Sequence, residues 1–211
     1  MLNKNKKSIR LTGYDYSLPG YYFVTICTHE MGYFFGECAD GVMKLNKFGE
    51  IVGNELLKTP QIRPGILLDA FAIMPNHIHA IIAITDDGKL PLFDKTIENI
   101  YPNVGSNCCS TEIDNRTNGS SSLRDIIPRM KPNSISSMVS GFKSVTTKQI
   151  NILRDALGNP VWQTRFYDHI IRDEESFENI REYIKNNPAN WDRDSKNHDN
   201  FNEELNNILK K

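Results

Sequence analysis

Hydrophobic and polar positions along the 211 residues alternate between strand-like and helix-like periods. Gly20 to Thr28 is dense in aromatic and β-branched residues and predicts a first strand. Phe34–Cys38 and Gly41–Leu45 predict a short hairpin. Asn46 suits the N-cap of a helix running through Ile51, Leu56 and Leu57, which Pro60 ends. Ile66–Ile73 and the run from His77 to Ile84 predict a second hairpin, turning at Met74, Pro75 and Asn76. The Ala80–Ile84 stretch is apolar on both faces, as in a strand buried in the middle of a sheet. Asn133 or Ser134 opens a long helix whose Ile135, Met138, Val139 and Phe142 face the core. A last strand covers Phe166–Ile171. Asp173, Glu174, Glu175 and Ser176 suit the start of a final helix, set at Ser176–Asn187, in which Phe177, Ile180, Tyr183 and Ile184 recur every three or four residues. Pro188 disfavours helical geometry at Asn187 and stops it. This order predicts an α+β fold, an antiparallel sheet covered by helices.

Two places break the pattern. Residues 86–133 are small, polar and aperiodic, which predicts a flexible polar insertion. Residues 192–211 predict a polar tail, or a short helix whose Phe201, Leu205, Ile208 and Leu209 would dock on the chain's own domain or on a second copy as a homodimer.

His77 and His79 carry the first candidate chemistry. Alternate residues of a strand share a face, so both imidazoles emerge on one side while Ile78 points to the other. Two adjacent imidazoles can grip one divalent ion; the alternative is one hydrogen-bonded core histidine and one exposed one. Tyr183 and Asn187, four apart on a helix, also share a face. Together they could serve chemistry, or Tyr183 could pack at the core edge while Asn187 caps the helix. Tyr167 is a rival tyrosine on the last strand, and His169 beside it suits either a phosphate contact or a buried hydrogen bond.

Three separated motifs, Met74-Pro75-Asn76-His77-Ile78-His79, then Trp162-Gln163 with Phe166-Tyr167-Asp168-His169 and Arg172, then Tyr183-Ile184 with Asn187-Pro188, resemble in order and spacing the single-tyrosine HUH transposases. Within them the chain is most similar to the REP-associated tyrosine transposases. The resemblance spans most of residues 8–191. It implies a ferredoxin-like fold and a catalytic domain over residues 1–191. It implies His77 and His79 as metal ligands, Asn187 as a third, Tyr183 as nucleophile, and single-stranded or hairpin DNA as partner. The implied activity is that of a DNA nicking and strand-transfer enzyme.

The chemistry stands without the family name. A phenol with a pKa of about 10 is a poor nucleophile at neutral pH and needs a cation or base to attack a phosphodiester. Imidazole with amide and phosphate oxygens makes a mixed, open site suited to Mg²⁺ or Mn²⁺. Lys143, Lys148, Arg165, His169 and Arg172 are the candidate DNA contacts. A non-catalytic DNA- or RNA-binding descendant of the same fold is the alternative.

Charge modifies this picture only slightly. The formal net charge is −1, with 24 % charged residues. That is unlike the basic surplus of most nucleic-acid binders. The asymmetry matters more: between Arg124 and Arg165 basic residues outnumber acids, whereas acids prevail from Asp168 onward. No apolar run reaches the ~18–20 residues that cross a bilayer, and the lysine-rich start lacks an apolar segment after it. A cytoplasmic protein without membrane contact is expected. Cys27, Cys38, Cys108 and Cys109 show no metal or disulfide spacing, so reduced thiols are expected.

Overall fold

The computed structural model describes residues 14–85, 131–194 and 196–197. Residues 86–130 of the insertion expected over 86–133, and the stripe expected at 201–209, lie outside the described residues.

The chain begins with strand β1 (Gly20–Cys27), followed by the hairpin β2 (Gly36–Ala39) and β3 (Val42–Leu45). Helices α1 (Lys47–Leu57) and α2 (Thr59–Ile62) lead to strands β4 (Ile66–Met74) and β5 (His77–Ile84). Helix α3 (Ile135–Leu153), strand β6 (Tyr167–Ile171) and helix α4 (Glu174–Asn186) complete the body, and a 3₁₀ turn spans Pro188–Arg193.

Local chemistry sets the helix starts. Asn46 Oδ1 accepts from the amides of Phe48 at 2.9 Å and Gly49 at 3.0 Å, two of the donors a helix leaves without a partner. Ser134 Oγ does the same for Ser137, and Asp173 for Ser176 at 2.8 Å. The Asp173 cap starts α4 at Glu174, two residues before the expected start at Ser176. Pro60 does not simply end α1. It enters the first turn of α2, where a missing N–H costs nothing.

β4, β5, β1 and β6 lie side by side in that order, antiparallel at every pairing. Counting only these four strands, the chain runs strand, helix, strand, strand, helix, strand, with the first strand inside the sheet beside the third. That is the ferredoxin-like arrangement, an α+β sandwich with α4 added on the second face.

The two faces make two cores. Tyr22, Val24, Ile26, Ile78 and Ile82 pack with Val52 and Leu56 of α1 and with Met138, Val139 and Phe142 of α3. On the opposite face Tyr21, Phe23, Met74 and Ile81 pack with Phe177, Ile180 and Ile184 of α4 and with Trp191. β5 is buried along its whole length, as its doubly apolar sequence demands. A bulge at Asp69 shifts the β4–β5 register between Leu68 and Ala70. It places the buried Asp69 carboxylate 3.0 Å from Arg181 of α4, an ion pair that ties the helix to the edge strand. Among the described residues no helix is long and apolar enough to cross a membrane.

Candidate active site

Because strand side chains alternate, His77 and His79 fall on the α4 face while Ile78 enters the other core. Both histidines are fully buried. Their Nε2 atoms approach to 3.0 Å. The Nδ1 of His77 lies 2.8 Å from Asn76 Oδ1, and that of His79 lies 2.8 Å from Thr25 Oγ1 on the neighbouring β1. Phe23 stacks on the His79 ring with centroids 5.3 Å apart. Each imidazole is thus held by its far nitrogen and by packing, with its near nitrogen aimed at a shared point.

α4 runs back along the sheet and brings Tyr183 to that point. Its hydroxyl is 3.2 Å from His79 Nε2. Asn187, one turn later, is buried, and its side chain favours the ionised form of the Tyr183 phenol. The Asn187 Oδ1 has no hydrogen-bond partner. Tyr183, read from sequence as one helical face with Asn187, meets His79, and Asn187 follows it one turn later on the same helix.

The 3₁₀ turn adds a residue that sequence reasoning counted only among the tail acids. Asp194, buried, places Oδ2 3.6 Å from His77 Nε2, and that oxygen too has no hydrogen-bond partner. Ligand atoms of His77, His79 and Asp194 all lie within 4.8 Å of one another. No local signal marks Asp194, because its arrival depends on the turn that Pro188 and Trp191 make after α4.

The electrostatics leave the histidines free to act as ligands. Burial, with a contribution from Lys196, holds both histidines well below their ordinary pKa, so the rings are neutral and can offer lone pairs. Burial, then the Asp194 charge, pushes the Tyr183 phenol up, while the hydrogen bond from Asn187 draws it down. Two neutral imidazole nitrogens and a buried carboxylate oxygen without a hydrogen-bond partner form a donor set that could hold one divalent ion. A buried carboxylate oxygen with no donor would otherwise be costly.

The expected nucleic-acid contacts fall into two groups. Lys148, Arg165 and Arg172 are exposed. An open groove of about 550 Å³ between α3 and residues 157–164 is lined by Lys148, Ser144, Thr147, Asn151 and Gln163. Lys143 also lines this groove, but its ammonium is engaged by the chain itself. Its ammonium donates to the carbonyls of Gln163 at 2.7 Å, Thr164 at 3.4 Å and Arg165 at 3.1 Å, so it ties down the loop before β6. Burial lowers its pKa to about 8. His169 is half-buried on the α4 face, in register with Phe23, and burial lowers its pKa, with Arg172 adding to the effect. Tyr167 also lies on this face, its ring 6.4 Å from that of Phe23, and burial raises its pKa.

The site thus sits on a four-stranded antiparallel sheet, with a histidine pair on an inner strand and a tyrosine-bearing helix across that face. The solved structure of a REP-associated tyrosine transposase bound to a REP hairpin superposes with a TM-score of 0.50 at 17 % identity, covering 86 % of this chain and 74 % of that one. At that identity the likeness shows the fold. A transposase candidate from Deinococcus radiodurans gives a TM-score of 0.40 at 14 % identity, over 84 % of this chain and 95 % of that one, too low to argue from. No family model matches the chain. By sequence, a Haemophilus influenzae protein described only as uncharacterized is 34 % identical over 194 residues, 90 % of this chain and 92 % of that one. The chain belongs to one family with that Haemophilus protein.

Proposed function

We propose that the protein is a DNA nicking and strand-transfer enzyme that cuts single-stranded, hairpin-bearing DNA through Tyr183. The observation that carries this reading is the Tyr183 hydroxyl 3.2 Å from His79 Nε2, inside a cluster whose other members are metal-ligand types. The hairpin is suggested by the REP-associated transposase, whose solved structure holds a REP hairpin.

His77, His79, Asp194 and the Oδ1 of Asn187 would hold a divalent ion, Mg²⁺ or Mn²⁺. Bound there, it would supply positive charge to a phosphate oxygen and lower the cost of forming phenolate. The remaining chemistry belongs to the chain. Tyr183 Oη attacks phosphorus, the Tyr183 O–P bond forms and the P–O3′ bond breaks, and the phenolic proton is matched by one gained at the departing 3′ oxygen. The products are a 5′-phosphotyrosine and a free 3′-hydroxyl, and the hydroxyl of another strand end can reverse the reaction. Asn187, one turn after Tyr183, would favour the phenolate as it forms. Phe23, Trp191 and the sheet exclude water from the histidines. Lys148, Arg165, His169 and Arg172 would meet phosphates, with the α3 groove as a track for an unpaired strand. Lys143 contributes by fixing the loop that carries Arg165.

The test is to incubate labelled single strands carrying a hairpin with protein and Mg²⁺ or Mn²⁺, and to look for an adduct that survives denaturant. His77→Ala should abolish it. Full adduct yield in excess chelator would overturn the metal role, and no adduct with any hairpin would favour a binding protein that does not cut.

A further inference from the structure

We infer that Asn76 is a positioning residue that presets His77 as a ligand by fixing the tautomer of its imidazole, and that the same amide straps the segment carrying Asp194 over the site. The inference deepens the reading above and rests on it for the cation.

Asn76 is fully buried at the turn before β5. One end of its side-chain amide faces two backbone carbonyls, Lys196 O at 2.7 Å and Met31 O at 3.2 Å. Carbonyl oxygens only accept, so the end facing them is the NH₂ group and the other end is Oδ1. That oxygen lies 2.8 Å from His77 Nδ1. It can only accept, so Nδ1 carries the proton. A neutral imidazole has one such proton, and the Nε2 of His77 therefore keeps its lone pair. The lone pair points at the shared position, 3.0 Å from His79 Nε2 and 3.6 Å from Asp194 Oδ2. The opposite tautomer would set two acceptors against each other at Asn76.

His79 is not constrained in this way. Its Nδ1 faces the Thr25 hydroxyl, which can either give or take a proton. The two histidines are thus unequal: His77 is preset, and His79 can adapt.

The amide also joins three stretches of chain. Its NH₂ group holds the loop after β1 through Met31 and the segment after α4 through Lys196. That segment is braced again where the Lys196 amide donates to Asp194 Oδ1 at 2.7 Å, and where Tyr33 Oη donates to Asn197 Oδ1 at 2.9 Å. Asn76 therefore acts on the site twice, through the His77 proton and through the strap that delivers Asp194.

The full chain labelled with ¹⁵N-histidine, free of metal, reports the tautomer directly, with the His77→Ala spectrum as assignment. The expected result is Nδ1–H at His77. Nε2–H there would overturn the inference on the wild-type protein alone, whatever any variant does. Mn²⁺ titrations followed by electron paramagnetic resonance supply the second readout. Asn76→Ala should weaken Mn²⁺ binding by about 10–100-fold, the usual effect of removing a partner of a ligating histidine. Thr25→Val should leave the His77 proton on Nδ1. Unchanged Mn²⁺ affinity in a folded Asn76→Ala variant would overturn the positioning role. Failure of the wild type to bind Mn²⁺ would remove the ligand role and the functional reading together, while the His77 spectrum would still judge the tautomer.

Discussion

Tyr183 and Tyr167 both lie on the α4 face of the sheet, yet only Tyr183 reaches the histidine cluster. Tyr183→Phe removes one oxygen and keeps the ring that packs 6.3 Å from Phe23, so the variant should fold normally and lose the covalent DNA adduct. Tyr167→Phe should keep it, and mass spectrometry of the trapped adduct identifies the linked residue. A nucleotide on Tyr167 would reverse the assignment. Asp194 makes the second residue-scale prediction. Asp194→Asn preserves shape and removes the only carboxylate that the described residues bring to the cluster, so Mn²⁺ affinity measured by titration should fall by at least about tenfold, the scale of one ligand-shell perturbation. Unchanged affinity would place Asp194 outside the ligand set.

Helix α4 positions the nucleophile, and its hold on the sheet can be measured through Asp69. Burial raises the Asp69 pKa from 3.8 to about 6, against the opposing pull of Arg181. In the unfolded chain the carboxyl loses its proton first. Stability is therefore lost as pH rises from about 4 to about 6 and is flat above, by at most about 3 kcal/mol for a shift of roughly two units. Asp69→Asn removes that slope. The difference in urea-unfolding free energy, variant minus wild type, should rise across this window. Parallel curves would mean that Arg181 compensates the buried charge fully. At the start of the helix, Asp173→Ala deletes the α4 N-cap and should cost about 1 kcal/mol in the same assay. Much of this element was legible from its acidic start and its three-and-four spacing. The Asp69 clamp was not, because a bulge depends on how two strands register, and nothing in Leu67-Leu68-Asp69-Ala70 announces it.

For the whole molecule, the site joins β1, β5, α4 and the turn after α4, so a bound cation should resist global unfolding. Mn²⁺ at about 100 times its dissociation constant should add about 2.7 kcal/mol, or roughly 5–10 °C in melting temperature at this chain length. Chelator should cancel the shift, and His79→Ala should show none. A shift of equal size in that variant would point to binding elsewhere. The succession of strands and helices along the chain, the helix faces and the shared face of His77 and His79 were readable from the chain, because they follow from periods of two and of three to four that each segment carries by itself; the ferredoxin-like strand order was implied only by the family resemblance. Tyr183 and Asn187 were readable as one face for the same reason. What the sequence could not state is which distant groups complete the site. Asp194 and the far-side partners Asn76 and Thr25 look like tail, turn and strand residues when taken alone. Only the antiparallel register of β1 on β5 puts Thr25 opposite His79, and only the 3₁₀ turn after Pro188 carries Asp194 back to His77. Periodicity is a local property of the backbone, whereas a ligand set is a coincidence in space that exists once the two cores have closed around it.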